Sequence, residues 1–373
     1  MSVRNLSVVL LCLICFLPAA SQERYRVYLG TYTNGASKGI YQCEFNATDG
    51  SISDATLAVE TSSPSFLAFH PSQPYLYAVN ESDAKISSFR IDRSSGKLTF
   101  LNSQPSQGGA PCHLVVDPSG KNVLVANYTG GSCICVRVLA DGSLGEASSF
   151  QQHVGVRKHG HAIHVDAANR FALCCDLGLD QVITYAFDPE QGSLAPKKIF
   201  QTPKGAGPRH FAWHPDGKTA FINGETDLTI IRCRYDSSSG ELTQQQVLST
   251  LPADVTRNGG STAETVVHPS GNFVYVSNRD PYHSIAIFSI QPESHELALV
   301  GHQSTGIKTP RNFAIDPTGK FMLVANQSGG NVVVFRIDES TGKLVPTTSS
   351  VAVANPVCVR FISIMNAFDV ISR

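Results

Sequence analysis

The sequence predicts an all-β chain folded as a seven-bladed β-propeller, with four antiparallel strands per blade and a ring closed by strands from both chain ends. Three observations predict it. One line of text recurs six times at nearly constant spacing. Each copy has the alternation and turn residues of short strands. The two ends of the chain carry complementary parts of one more copy.

The repeat reads P-x-(apolar)-x-(apolar)-x-(His/Asp)-P-x-G. An apolar run ending in Asn or Asp follows, then a further apolar strand and an x-G-x-L turn. Copies begin at Pro64, Pro111, Gly160, Pro208, Thr262 and Pro310, 47 to 54 residues apart by subtraction. A period of about 40–50 residues with several short strands per unit is the signature of propeller blades. The copy at Pro208 shows why each strand forms. PRHFAWHP alternates, so successive residues face different surroundings. Pro215-Asp216-Gly217-Lys218 supplies turn chemistry before the second strand, Thr219 to Asn223. Ile230 to Tyr235 is the third strand, and Ser239-Gly240-Glu241-Leu242 turns into the fourth. Proline at a strand head costs no ladder bond.

The six units run from Pro64 to about Ala354. Tyr25 to Ile52 reads as strands two to four of another unit, and Asn355 to Phe361 as its missing first strand. Together they make the seventh blade and remove exposed sheet edges. The strand around Val357 to Phe361 is therefore expected to pair with the one around Val27 to Gly30. One propeller is expected over 22–373, its longest insertion at Asp254 to Gly260.

Residues 1–21 read as an export signal. Arg4 is the positive start, Leu6 to Leu17 is almost wholly apolar, and Ala19-Ala20-Ser21 is a small-residue cleavage site. The run is shorter than the about 20 apolar residues a membrane span needs. Secretion or a periplasmic location is expected, with no membrane span in the mature chain. The composition, 42% hydrophobic and 16% charged, supports a large core. A formal net charge of −1 without like-charge runs argues against a nucleic-acid partner. Eight cysteines lie beyond the signal: Cys43, Cys112, Cys133, Cys135, Cys174, Cys175, Cys233 and Cys358. They permit disulfides, although several fall in apolar strand runs where a buried free thiol is the plainer reading. No C-x-x-C pair stands among them, which argues against a zinc ribbon. Asn46, Asn80, Asn127 and Asn326 open N-x-S/T sequences.

The repeat also locates chemistry, because equivalent positions in different blades share a rim. The Pro or Ala of each His/Asp-Pro turn serves as the anchor. Six residues before it, at the head of the innermost strand, stand Ser65, Cys112, His161, Arg209, Ala263 and Arg311. Ten residues after it, past strand two, stand Glu81, Tyr128, Leu177, Glu225, Arg279 and Gln327. Strands one and two form a hairpin, so both positions lie at one edge. His161, Arg209, Glu225, Arg279 and Arg311 should gather there, with His113, His210 and Glu264 one residue along their strands. Such a mouth would hold an anion beside a proton acceptor. Plainer readings stand beside this one: Arg209 and Glu225 as a structural ion pair, and His161 as a hydrogen-bonded rim histidine. His159-x-His161-x-x-His164 is a weak candidate for a metal. His70, His214 and His268 share a slot with Asp in other copies and read as structural.

GPRHFAWHPDGKTAFINGE, HPSGNFVYVSNRD and TPRNFAIDPTGKFMLVANQ together resemble the seven-bladed propeller lactonases, whose bacterial members include 6-phosphogluconolactonase. The resemblance spans roughly Tyr25 to Phe361. It implies cofactor-free opening of a sugar lactone, 6-phosphogluconolactone or a related aldonolactone; no metal is required by the expected mechanism, and a monomer is expected. It matches catalytic roles to Glu225 as the base with Arg209, Arg279 and His161, with His159 as the other possible match for the histidine; His159 and the rim residues His113, His210, Glu264 and Arg311 are expected to bind substrate. The G-x-S-x-G nucleophile motif is absent, which argues against a serine-hydrolase route. Two alternatives remain at this stage: an exported propeller of the YVTN surface type that only binds, and a muconate-type cycloisomerase.

Overall fold

The structure is a computed structural model that describes residues 23–364. The expected leader, 1–21, lies outside the described residues. Among the described residues, strands form seven antiparallel sheets arranged as blades. The six complete repeats each give one four-stranded sheet, running in chain order from the innermost strand outward. Innermost strands of neighbouring blades pack side by side around the ring.

Closure follows the expected register. Pro356–Ser363 is the innermost strand of the first blade and pairs antiparallel with Arg24–Thr31. Val27 faces Phe361, Leu29 faces Val359 and Gly30 faces Cys358. Only glycine fits at position 30, since a Cβ there would lie 2.4 Å from the Pro64 carbonyl oxygen. The seam is sealed by edge-to-face contacts of Phe45 with Phe321 and Phe361. The outer strand of this blade differs from the expectation that it ends at Ile52. It breaks into Ser51–Ile52 and Thr56–Glu60, both paired with Gly39–Asn46. Ser53 causes the break: its hydroxyl takes the Glu44 N–H in place of a ladder carbonyl.

Apolar residues pack between blade faces rather than in one central core. Tyr77, Phe89, Leu114, Val123 and Ile134, from two successive blades, belong to one such layer. All eight cysteines beyond residue 22 are free and buried, so none of the permitted disulfides forms.

The structural histidines latch each blade to the next. His214 Nε2 lies 3.1 Å from the Gly271 carbonyl, and His268 Nε2 2.8 Å from that of Gly319. His70 bonds the Gly120 backbone in the same manner. In an Asp copy the carboxylate of Asp117 accepts from Asn169 of the following blade. Asn80, Asn127 and Asn326 are buried, and each donates its side-chain amide to a carbonyl of a neighbouring loop. In the folded chain they are strand-end latches, with no free amide for a glycan.

Candidate active site

The mouth is built by a break in the ladder. At the head of the innermost strands, residues fall out of register. Cys112 is skipped between the pairs Pro111–Asn127 and His113–Ala126, and His161 between Gly160–Asp176 and Ala162–Cys175. Arg311 is skipped between Pro310–Asn326 and Asn312–Ala325; in the copy at Pro208, both Arg209 and His210 are. A β-bulge re-aims the side chain it frees. Here it directs Cys112, His161, Arg209 and Arg311 into one cavity of about 180 Å³, also lined by Glu81, Tyr128, Glu225 and Arg279.

Glu225 sits between two guanidinium groups. Its Oε2 is 2.7 Å from Arg209 Nε and its Oε1 2.9 Å from Arg279. The Arg209 contact is a close charge pairing without the alignment of a hydrogen bond. Each arginine is anchored on backbone of the blade that begins at Thr262: Arg209 reaches across from the preceding blade to donate to the Ala263 carbonyl at 2.5 Å, and Arg279 donates to the Thr262 carbonyl of its own blade at 3.1 Å. The glutamate's main chain is held as well. Its N–H donates to Gly207 and its carbonyl accepts from Thr262.

The preceding residue, Gly224, occupies the slot filled by Asn80, Asn127, Asp176, Asn278 and Asn326 in other copies. A Cβ there would lie 2.1 Å from Asp227 Oδ1 and 2.6 Å from Thr229 Oγ1. The local sequence Asn223-Gly224-Glu225 is thus a steric requirement. Asn223 moves one place back, accepts from His210 N–H and donates to Thr262 Oγ1 at 2.6 Å.

His161 is buried, and its Nδ1 has no hydrogen-bond partner within the protein. Burial first, then the charge of Arg209, holds its pKa well below the ordinary histidine value. Its imidazole is therefore neutral at physiological pH. Arg209 Nε and Arg279 Nε are the other buried, unpartnered polar atoms on the cavity's residues. An orphaned buried polar group costs about 1–3 kcal/mol; the Arg209 Nε cost is offset by its charge pairing with Glu225, whereas His161 Nδ1 and Arg279 Nε have no such offset and suit a polar ligand.

The remaining expected residues divide. Arg311 joins the mouth, stacking over Tyr32 and donating to its hydroxyl at 2.7 Å; Tyr32 donates in turn to Glu81 at 2.9 Å. His113, His210 and Glu264 do not line the cavity. They sit behind it, because the residue after the bulge resumes the ladder's alternation or packs under the freed one. His210 Nδ1 lies 2.7 Å from Glu264 Oε1, and Asn312 donates to Glu264 Oε2. His113 packs on Phe66 and beside His164. Burial holds His113 and His210 well below the histidine range and raises Glu264. His159 also lies outside the cavity: it stacks on Tyr128 and bonds that residue's carbonyl at 3.1 Å. The three residues of the candidate metal motif thus meet different surroundings: His159 the back of Tyr128, His161 the cavity, His164 the rings of His113 and Phe211.

Sequence reasoning missed Glu81, Tyr128 and Cys112 as lining residues. Glu81 and Tyr128 share the ten-after offset of Glu225 and Arg279, and that offset was the available signal. Tyr32 had none, since it belongs to the blade split between the chain ends.

Residues 26–361 match the family described as lactonase, seven-bladed β-propeller. A 6-phosphogluconolactonase of Bacillus subtilis is 36% identical over 348 residues, covering 91% of this chain and 99% of that protein. A 6-phosphogluconolactonase of Formosa agariphila is 34% identical, covering 85% and 94%. The solved structure of a periplasmic gluconolactonase from Pseudomonas aeruginosa superposes with a TM-score of 0.87 at 30% identity, covering 92% of this chain and all of that one.

Proposed function

This chain belongs to the seven-bladed β-propeller lactonases, and from that premise we propose that it hydrolyses a sugar lactone, 6-phosphogluconolactone or a related aldonolactone. The observation that carries the reading is the convergence of a carboxylate, two backbone-anchored guanidinium groups and a neutral imidazole on one small cavity. Neither non-catalytic binding nor cycloisomerisation is favoured by the relatives' names.

In this reading Arg209 and Arg279 hold the lactone carbonyl and stabilise the oxyanion that forms on attack. A preorganised donor of this kind is worth about 2.7–4 kcal/mol. Glu225 accepts a proton from the attacking water and returns it to the ring oxygen as the C–O bond breaks. The carboxylate has further lone pairs beyond those facing its two arginines, which lets it do both. His161, neutral with a free Nδ1, orients the water. Every step is an acid–base step of these side chains, so none is assigned to a metal or cofactor. Three guanidinium groups face two carboxylates in the cavity, a surplus of positive charge that suits a phosphorylated or carboxylated ligand.

The apolar start of the sequence and the periplasmic Pseudomonas neighbour support export. No helix among the described residues is long and apolar enough to cross a membrane. The test of function is a panel of aldonolactones, with and without a 6-phosphate, assayed for ring opening by purified protein. Enzymatic opening of at least one above its spontaneous rate is expected; uniform inactivity would end the proposal.

A further inference from the structure

A second place where the repeat changes lies at the seam between the blade of Pro111–Gln152 and that of Gly160–Gln201. Four positions there depart from their equivalents. Cys133 stands where other blades have Ile86, Val182, Ile230, Ile285 and Val332. Cys174 stands where they have Ala78, Val125, Ile222, Val276 and Val324. His153 replaces Ser106, Thr202, Thr250 and Val353, all of which make the same backbone hydrogen bond after an outer strand. Asp176 takes the strand-end slot that is otherwise asparagine or Gly224. Four coordinated changes at one seam are not needed to pack a blade, since the other seams close without them.

These side chains meet. Cys133, Cys174 and His153 are fully buried, and their candidate ligand atoms lie within 4.8 Å of one another. His153 Nδ1 is 2.5 Å from Asp176 Oδ2. The other Asp176 oxygen accepts from the backbone N–H of His159 and of Leu179. The carboxylate thus fixes the ring through Nδ1 and leaves Nε2 as the free nitrogen. That Nε2 is buried and has no hydrogen-bond partner within the protein. A carboxylate holding one imidazole nitrogen while the other serves as a donor is the usual support of a metal-bound histidine.

We propose that Cys133, Cys174 and His153 form a buried binding site for zinc(II), with Asp176 as its supporting carboxylate. Two thiolates and an imidazole are soft and borderline donors that select thiophilic ions over magnesium or calcium. Charge favours zinc(II) over copper(I): two thiolates balance a divalent ion and leave only the Asp176 charge, itself hydrogen-bonded by two backbone N–H groups, whereas a monovalent ion would add a second net negative charge to a dry seam. Tyr185, buried beside Cys133, places its hydroxyl against the site as a hydrogen-bond partner of that sulfur. The site lacks any sequence motif because its three donors come from a third strand, a second strand and the loop after an outer strand. Its role is that of a staple between two blades. Through Asp176 and His159 it also steadies Tyr128 at the mouth. It is separate from the cavity residues, so lactone hydrolysis and zinc binding can fail independently.

The experiment is metal analysis of protein purified from zinc-supplemented culture, together with protein unfolded in chelator and refolded with graded zinc(II). About one zinc per chain is expected, with a melting temperature that rises on zinc addition. Refolding with cobalt(II) should give a thiolate-to-cobalt charge-transfer band. Cys133→Ser and Cys174→Ser should each lose the zinc, the band and the stabilisation, while Cys175→Ser, on the same strand, keeps them. If the serine variants do not fold, the wild-type stoichiometry and cobalt spectrum decide alone. No bound zinc and no stabilisation would overturn the proposal. So would a Cys133–Cys174 disulfide, read as two thiols missing from a denatured thiol count, or binding of copper(I) but not zinc(II).

Discussion

Both rims of the propeller carry histidines, and they use them in opposite ways. On the rim of the His/Asp-Pro turns, His70, His214 and His268 each bond the turn glycine of the next blade. They recur with the repeat, and an aspartate fills their slot in the remaining full copies, where Asp117 accepts from Asn169 and Asp166 from Tyr235 of the following blade. At the other rim His161 has no counterpart among Ser65, Cys112, Arg209, Ala263 and Arg311, and its Nδ1 bonds nothing in the protein. A ring of identical units needs identical latches, so repetition identifies scaffold. A residue that breaks the repeat and has unmet hydrogen-bonding capacity identifies a site.

That contrast is open to direct attack. The largest effect is expected from Glu225→Gln, which keeps the shape between Arg209 and Arg279 but removes the proton acceptor. Turnover should fall by about 10²–10⁴-fold with the melting temperature little changed. A variant with wild-type turnover would move the base elsewhere. Arg279→Ala comes next. Loss of one preorganised donor should lower kcat/KM by about 10²–10³-fold, and more for phosphorylated than for neutral lactones. Equal losses for both would remove the phosphate from its role.

The fold was legible because a repeat states its own geometry. Period, turn residues and the two part-units at the chain ends were enough to give seven blades and the closing pair Val27–Phe361. Convergence of the mouth was legible because fixed offsets from one anchor must share a rim. The bulge at the strand heads was not. It depends on hydrogen bonds lost between Pro208 and Phe211 and at equivalent places, which no residue type announces. That is why His210 and Glu264, expected beside Arg209, lie behind the cavity. Ser53, which breaks the outer strand of the first blade, acts through a single side-chain hydrogen bond and was equally silent.

A pH experiment sharpens the comparison between the rims. His113, His161 and His210 are buried, and His164 half-buried, in neutral form among Arg209, Arg311, Arg360 and Glu264. Burial lowers all four from 6.5, His164 to about 4. Between those values the unfolded chain binds more protons than the folded one. The contribution of these four histidines to stability should therefore be full above pH 6.5 and fall as pH drops below it, by at most about 1.4 kcal/mol per pH unit for each, partly offset by Glu264, whose raised pKa acts in the opposite sense. Thermal melts from pH 7.5 to 4.5 check this, and a flat profile would contradict it. The smallest effect belongs to the latches. His268→Ala removes a bond to Gly319 and should cost about 1 kcal/mol of stability with kcat unchanged. A loss of turnover without a loss of stability would reverse the assignment of the two rims.

The most direct measurement is a crystal structure with an aldonate product bound. Among the cavities lined by the described residues, two on opposite rims make the sharpest choice. One is the mouth, of about 180 Å³. The other, of about 420 Å³, lies on the rim of the His-Pro turns and is lined by Phe69, His70, Pro71, Ile91 and Phe361 among others. The account predicts the smaller one, with the aldonate carboxylate bonded to Arg209 and Arg279 and facing Glu225 and His161. An aldonate bound only in the larger cavity would contradict it.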